Sequence, residues 1–160
     1  MGSTPENMLK YENYKEQMKR LKAAMTNHFY LEAVFIEYAI LEDRLESALR
    51  HSGKWHPKPD QHTSIDRKVR LLMAQAEEQK SPAQKFFQPE MMQEVLVWKN
   101  KRNPLMHSLM KQQLHTDDLA SLAEDGMRLV KQVGNKVKLF NRATEQMLPY
   151  IGILPCKPGL

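Results

Sequence analysis

The chain has 160 residues, enough for one domain with a core that needs no staples. Its single cysteine, Cys156, excludes an internal disulfide framework and a Cys-based zinc site, and the balance of 24 Lys and Arg against 19 Asp and Glu permits a polyanionic partner without requiring one. No apolar run approaches the ~20 residues of a membrane-spanning helix and the N-terminal segment has no apolar signal core, so the expectation is a cytoplasmic protein without a membrane partner.

Scarce glycine and abundant Met, Leu, Lys, Glu and Gln favour helix throughout. Residues 1–5 read as a disordered N-terminus. A first helix is expected from Glu6 to Met25, where Tyr11, Tyr14, Met18, Leu21 and Met25 recur at steps of three and four. A second runs from His28 to His51, with Leu31, Val34, Phe35, Tyr38, Leu41, Leu45, Ala48 and Leu49 on its apolar side, and Gly53 ends it before a polar loop. A third begins near Ser64 and buries Ile65, Val69, Leu72, Met73 and Ala76. A connector between Pro82 and Pro89 leads to a fourth helix opened by Glu90, with Met91, Val95 and Trp98 on one side. A long last helix is expected from Thr116, with Thr116 as N-cap and Asp117 and Asp118 against its dipole. Its stripe is Leu119, Leu122, Gly126, Leu129, Val133, Val137 and Phe140, and Gly134-Asn135 is a candidate bend. Pro149, Pro155 and Pro158 predict an extended tail over 149–160. The fold class is therefore all-α, a compact bundle of about five helices over residues 6–148.

Charges on an apolar stripe carry the functional information, because unpaired burial costs several kcal/mol. On the wheel of the second helix Glu42 falls between Phe35 and Leu49, in the middle of the apolar face. On the fourth helix Arg102 falls beside Met91, Val95 and Trp98 and is expected to project inward or into an interface. Asn103-Pro104 follows, and Asn is a good N-cap while Pro suits the first helical position. The expectation is a helix end after Arg102 and a new helix capped by Asn103, with His107 in or just past its first turn, so that Arg102 and His107 converge.

An arginine and a histidine at one phosphodiester suffice for a minimal ribonuclease. The guanidinium holds phosphate oxygens and stabilises their developing charge. The imidazole titrates near neutrality and can take or give a proton. RNA brings its own nucleophile, the 2′-hydroxyl. Two copies related by a two-fold axis would supply both a base and an acid.

The motif Arg-Asn-Pro-Leu-Met-His, Arg102 to His107, resembles the signature of the HEPN superfamily: an Arg, a following polar residue and a His after four to six positions. The layout also resembles that family, with a long second helix ahead of the motif and a long helix after it. Two other pairs have similar spacing, Arg44 with His51 and Arg50 with His56, but neither arginine projects toward the apolar stripe or precedes an Asn.

The resemblance implies a metal-independent endoribonuclease with no cofactor, working as a homodimer on RNA at a composite interface site. It is the kind of activity found in toxins and defence effectors that a cognate antitoxin holds in check. Carried over, Arg102 binds and polarises phosphate, His107 is the acid/base or orients the 2′-hydroxyl, and Asn103 caps or hydrogen-bonds in the cleft; apart from the resemblance, Glu42 is expected to orient Arg102. Leu109 stands where toxins silenced by antitoxin-catalysed nucleotide transfer often carry a tyrosine, so that regulation is not implied. Lys99, Lys101, Lys54 and Lys58 are candidate RNA contacts. The competing reading is a non-catalytic helical interaction module, or an RNA or nucleotide binder without turnover.

Overall fold

In the computed structural model the described residues are 4–58, 61–111 and 116–151, with the side chains of 148–151 aside. They form six helices and no strand: α1 (Pro5–Thr26), α2 (Tyr30–His51), α3 (Ile65–Glu77), α4 (Ala83–Phe86), α5 (Pro89–Ser108) and α6 (Thr116–Ile151). Two of the starts have a side-chain cap. Thr4 caps α1, its hydroxyl accepting from the Asn7 amide, with Pro5 in the first turn, so residue 5 is helical and residue 4 is its cap, not part of a disordered end. Ser64 caps α3 in the same way through the Arg67 amide. Gly53 adopts a φ of +70° just after α2, the left-handed conformation that stops a helix at little cost to glycine.

Helix α2 is the hub, packing on α1, α3 and most extensively on α6. Its row Val34, Leu41, Leu45, Ala48 and Leu49 is fully buried. It meets Leu21 of α1, Val69 and Leu72 of α3, and Val133, Val137 and Phe140 of α6 in one core. Each such aliphatic side chain contributes about 1.5–3 kcal/mol on full burial. The connector before α5 holds a single helical turn, α4, and seats Phe87 edge-on against Phe140 at 5.0 Å between ring centres.

Several expectations of which side chains are buried shift in the structure. Tyr11 and Phe35 lie on the surface, at 62% and 53% exposure, and Met92 rather than Met91 enters the core. Helix α6 does not stop at Pro149 but continues to Ile151, so residues 149–151 are helical and not extended. Pro155, Pro158 and Cys156 lie outside the described residues, as do 112–115 and with them any cap on α6. Gly134 leaves α6 unbroken; a Cβ there would stand 3.3 Å from the Tyr14 hydroxyl, so the glycine admits α1.

Candidate functional site

Helix α5 runs unbroken through Arg102, Asn103, Pro104 and His107. The expected break is therefore absent, and Asn103 does not cap a new helix. Pro104 cannot donate to the carbonyl of Asn100, four residues back. Asn100 is exposed, so solvent can satisfy that carbonyl and the helix tolerates the proline. The Ser108 hydroxyl donates to the carbonyls of Pro104 at 2.9 Å and Leu105 at 3.2 Å, closing the last turn.

Continuity has a geometric consequence. Five residues along a helix rotate by about 140°, so Arg102 and His107 of one protomer leave α5 on different sides. Convergence within one chain, expected from a break, is not what this helix provides. His107 is exposed, with no hydrogen-bond partner among the described residues.

Arg102 faces α2. Its guanidinium carbon lies 4.2 Å from the ring centre of Tyr38 and 5.5 Å from that of Phe35, both within cation–π range. One terminal nitrogen donates to Asn103 Oδ1 at 3.3 Å. Its Nε is buried without a hydrogen-bond partner. Among the described residues no carboxylate pairs with it. The two rejected arginines differ on this point: Arg44 pairs with Asp43 at 2.5 Å and Arg50 with Glu46 at 2.7 Å. The guanidinium is thus half-buried and held by rings, with no anion beside it among the described residues.

Glu42 is not the partner of Arg102. It is half-buried on the edge of α2 that faces α3, where it accepts from Lys68 Nζ at 3.3 Å and lies 3.4 Å from His62 Nε2. Lys68, almost fully buried, also donates to Glu46 at 3.0 Å. Burial pushes the Glu46 carboxyl up, but hydrogen bonds and charge from Arg50 and Lys68 outweigh it and hold it below its ordinary value.

The candidate RNA lysines divide. Lys99 is tied to Asp66 and Lys54 to Glu78, so neither offers an uncommitted charge. Lys58 and Lys101 are exposed and line separate clefts. Lys58 lies in one of about 630 Å³ between α1, α2 and α3, with Arg50, Trp55 and His62. Lys101 lies in one of about 560 Å³ between α5 and α6. Arg102 lines neither cleft, so its surroundings are an open edge of α2 and α5 rather than a deep pocket.

The wheel reading missed one carboxylate, Glu37. It is fully buried, with neither oxygen hydrogen-bonded. Desolvation alone raises its carboxyl to about 8, so it sits in the core as a neutral acid. It fits because residue 126 is a glycine: a Cβ there would collide with the Glu37 carboxyl and come within 2.9 Å of Trp98 Cζ2. The signal was present in the sequence. Glu37 stands three residues after Val34 and four before Leu41, in the buried row, and Gly126 stands in the stripe opposite.

Among the described residues, no group of three His, Cys, Asp or Glu side chains is placed to hold a metal, and no helix is long and apolar enough to cross a membrane. Comparison with protein-family models, with curated proteins and with solved structures found no significant match.

Proposed function

We propose that this chain is a metal-independent endoribonuclease of the HEPN type, acting on RNA as a homodimer in the cytoplasm, as a toxin or defence effector under the control of a cognate antitoxin. One observation carries the reading: Arg102 presents a guanidinium with no carboxylate among the described residues, fixed over Tyr38 and Phe35 and steadied by Asn103. A phosphate oxygen is the natural acceptor for such a group. In the reaction, a 2′-oxygen loses its proton to a base and attacks the adjacent phosphorus. The 5′-oxygen leaves with a proton from an acid, giving a 2′,3′-cyclic phosphate and a 5′-hydroxyl. Arg102 stabilises the charge on the non-bridging oxygens and His107 moves a proton. Because the two side chains leave α5 on different sides, a productive pair joins Arg102 of one protomer to His107 of its two-fold mate.

A second reading, a helical RNA or nucleotide binder without turnover, is favoured by the solitary His107, which no neighbour among the described residues orients. RNA cleavage in EDTA separates the two. The wild type is expected to cut, while Arg102→Ala and His107→Ala each lose cutting with the helical circular dichroism unchanged. Identical product patterns from wild type and His107→Ala would refute the catalytic reading.

A further inference from the structure

Phe35 is a large aromatic side chain on the solvent side of the central helix, 53% exposed, with the Arg102 guanidinium 5.5 Å from its ring centre. Tyr38, one turn on, lies under the same guanidinium at 4.2 Å and is only partly covered. The sequence pattern counts Phe35 as core, and core packing would hide it; instead its ring stands open beside the one cation of this edge that lacks a carboxylate among the described residues. A single-stranded nucleotide presents the complementary pair of features: an anionic phosphate, and a flat base free to stack. In a duplex the bases stack on one another and their faces are closed to a protein ring.

We propose that Phe35 is a base-stacking platform and that, with Arg102, it selects single-stranded or looped nucleic acid, with the phosphate on the guanidinium and the unpaired base on the phenyl ring. This rests on reading Arg102 as a phosphate receptor and names the substrate class of that same site. Phe35 touches the base and is not asked to take part in proton transfer. The pairing is sequence-tolerant, because every base has a face to offer.

The test uses the full chain and fluorescein-labelled 2′-O-methyl RNA, which lacks the attacking hydroxyl and so reports binding whether or not the protein cleaves. Anisotropy titrations compare a single strand with a duplex containing the same strand. The wild type is expected to prefer the single strand. Phe35→Ala is expected to weaken single-strand binding by about 10-fold, within the range that loss of one stacked base gives, and to leave duplex binding unchanged. Its dependence on salt should match that of the wild type, since no charge is lost, whereas Arg102→Ala should flatten the salt dependence by about one phosphate contact. Phe35→Trp, which keeps a ring, should restore single-strand binding. Light scattering follows the oligomeric state in parallel.

Equal single-strand affinity for wild type and Phe35→Ala, an equal loss on both probes, or no binding of either probe by the wild type overturns the proposal. A change of oligomeric state in Phe35→Ala with single-strand preference intact overturns it too, and assigns the ring to a contact between copies. Failure to cut ordinary RNA, with these binding results obtained, would defeat the ribonuclease reading and leave this one standing.

Discussion

The unpartnered Glu37 makes a quantitative prediction about stability and pH. Its carboxyl stands at about 8 in the folded chain against an ordinary 4.5. Between those values the folded protein holds one proton more than the unfolded chain. Stability therefore falls as pH rises through the window, by about 1.4 kcal/mol per pH unit. From about pH 5 to about pH 8, three units, the loss is about 4 kcal/mol, a large part of the 5–15 kcal/mol typical of a domain. Other titrating groups add their own slopes, so the useful quantity is a difference between two proteins. Glu37→Met keeps an unbranched side chain of similar size and removes both the charge and the orphaned oxygens. It is expected to be more stable than wild type by about 1–3 kcal/mol at about pH 5, where only an unsatisfied neutral group is relieved. The gap should widen by about 4 kcal/mol by about pH 8, where ionisation is relieved as well. Urea unfolding followed by circular dichroism at a series of pH values measures both numbers. A gap that stays constant from about pH 5 to about pH 8 would refute the picture of a solitary buried acid.

Three further substitutions test the packing around the site. Gly126→Ala should cost roughly 1–3 kcal/mol through overpacking against Glu37 and Trp98; the same change in a Glu37→Ala background should cost clearly less, which a thermal-melt double-mutant cycle reads directly. Pro104→Ala should raise stability by about 1–3 kcal/mol, because an interior helical position regains its hydrogen bond to Asn100; an unchanged or lowered melting temperature would mean that Asn103-Pro104 starts a helix after all. Lys68→Met should cost roughly 2–4 kcal/mol at neutral pH by leaving Glu42 and Glu46 without their shared cation, the value tempered by their partial exposure. Because Glu46 is held below its ordinary value, the stability it contributes is present above the usual carboxylate range and lost as pH falls through it. The gap between Lys68→Met and wild type should therefore narrow in acid, and a gap that grows in acid would contradict the ion-pair account.

The helical class, the starts of α3 and α6 and the stripe of α6 were legible in the sequence because periodicity and capping are local and repeat over many residues. The side chains of the candidate site were harder to place, since each depends on one wheel angle and on what packs opposite. Glu42 and Glu37 show the difference. Glu37 lies within the buried row of α2, while Glu42, five residues and about 140° on, lies at its edge, so a wheel centred wrongly by part of a turn exchanges their roles. The wheel centred on Phe35 and Leu49 selects Glu42, whereas the true centre follows Val34, Leu41 and Leu45 and selects Glu37. Glu42 meets a lysine from α3 that no pattern within α2 could announce.

Pro104 shows a second limit. Asn-Pro is the local signature of a helix start, and local chemistry alone favours a break there. The fold overrides it at modest cost because the one carbonyl left unsatisfied, that of Asn100, belongs to an exposed residue. The consequence reaches the chemistry. A break would have let one chain assemble its own arginine and histidine, and a continuous helix separates them by about 140°. If the Arg102–His107 motif is catalytic, its two halves must then come from two copies of α5 laid across a two-fold axis. A monomer should be inert even with every residue of the motif intact. Mixing inactive Arg102→Ala with inactive His107→Ala tests this, because a heterodimer regains one composite pair with both residues present. In an equimolar mixture about half of the dimers are heterodimers with one intact site of two, so recovery of cutting toward about a quarter of the wild-type rate would support the shared site, and no recovery from subunits shown to exchange would exclude it.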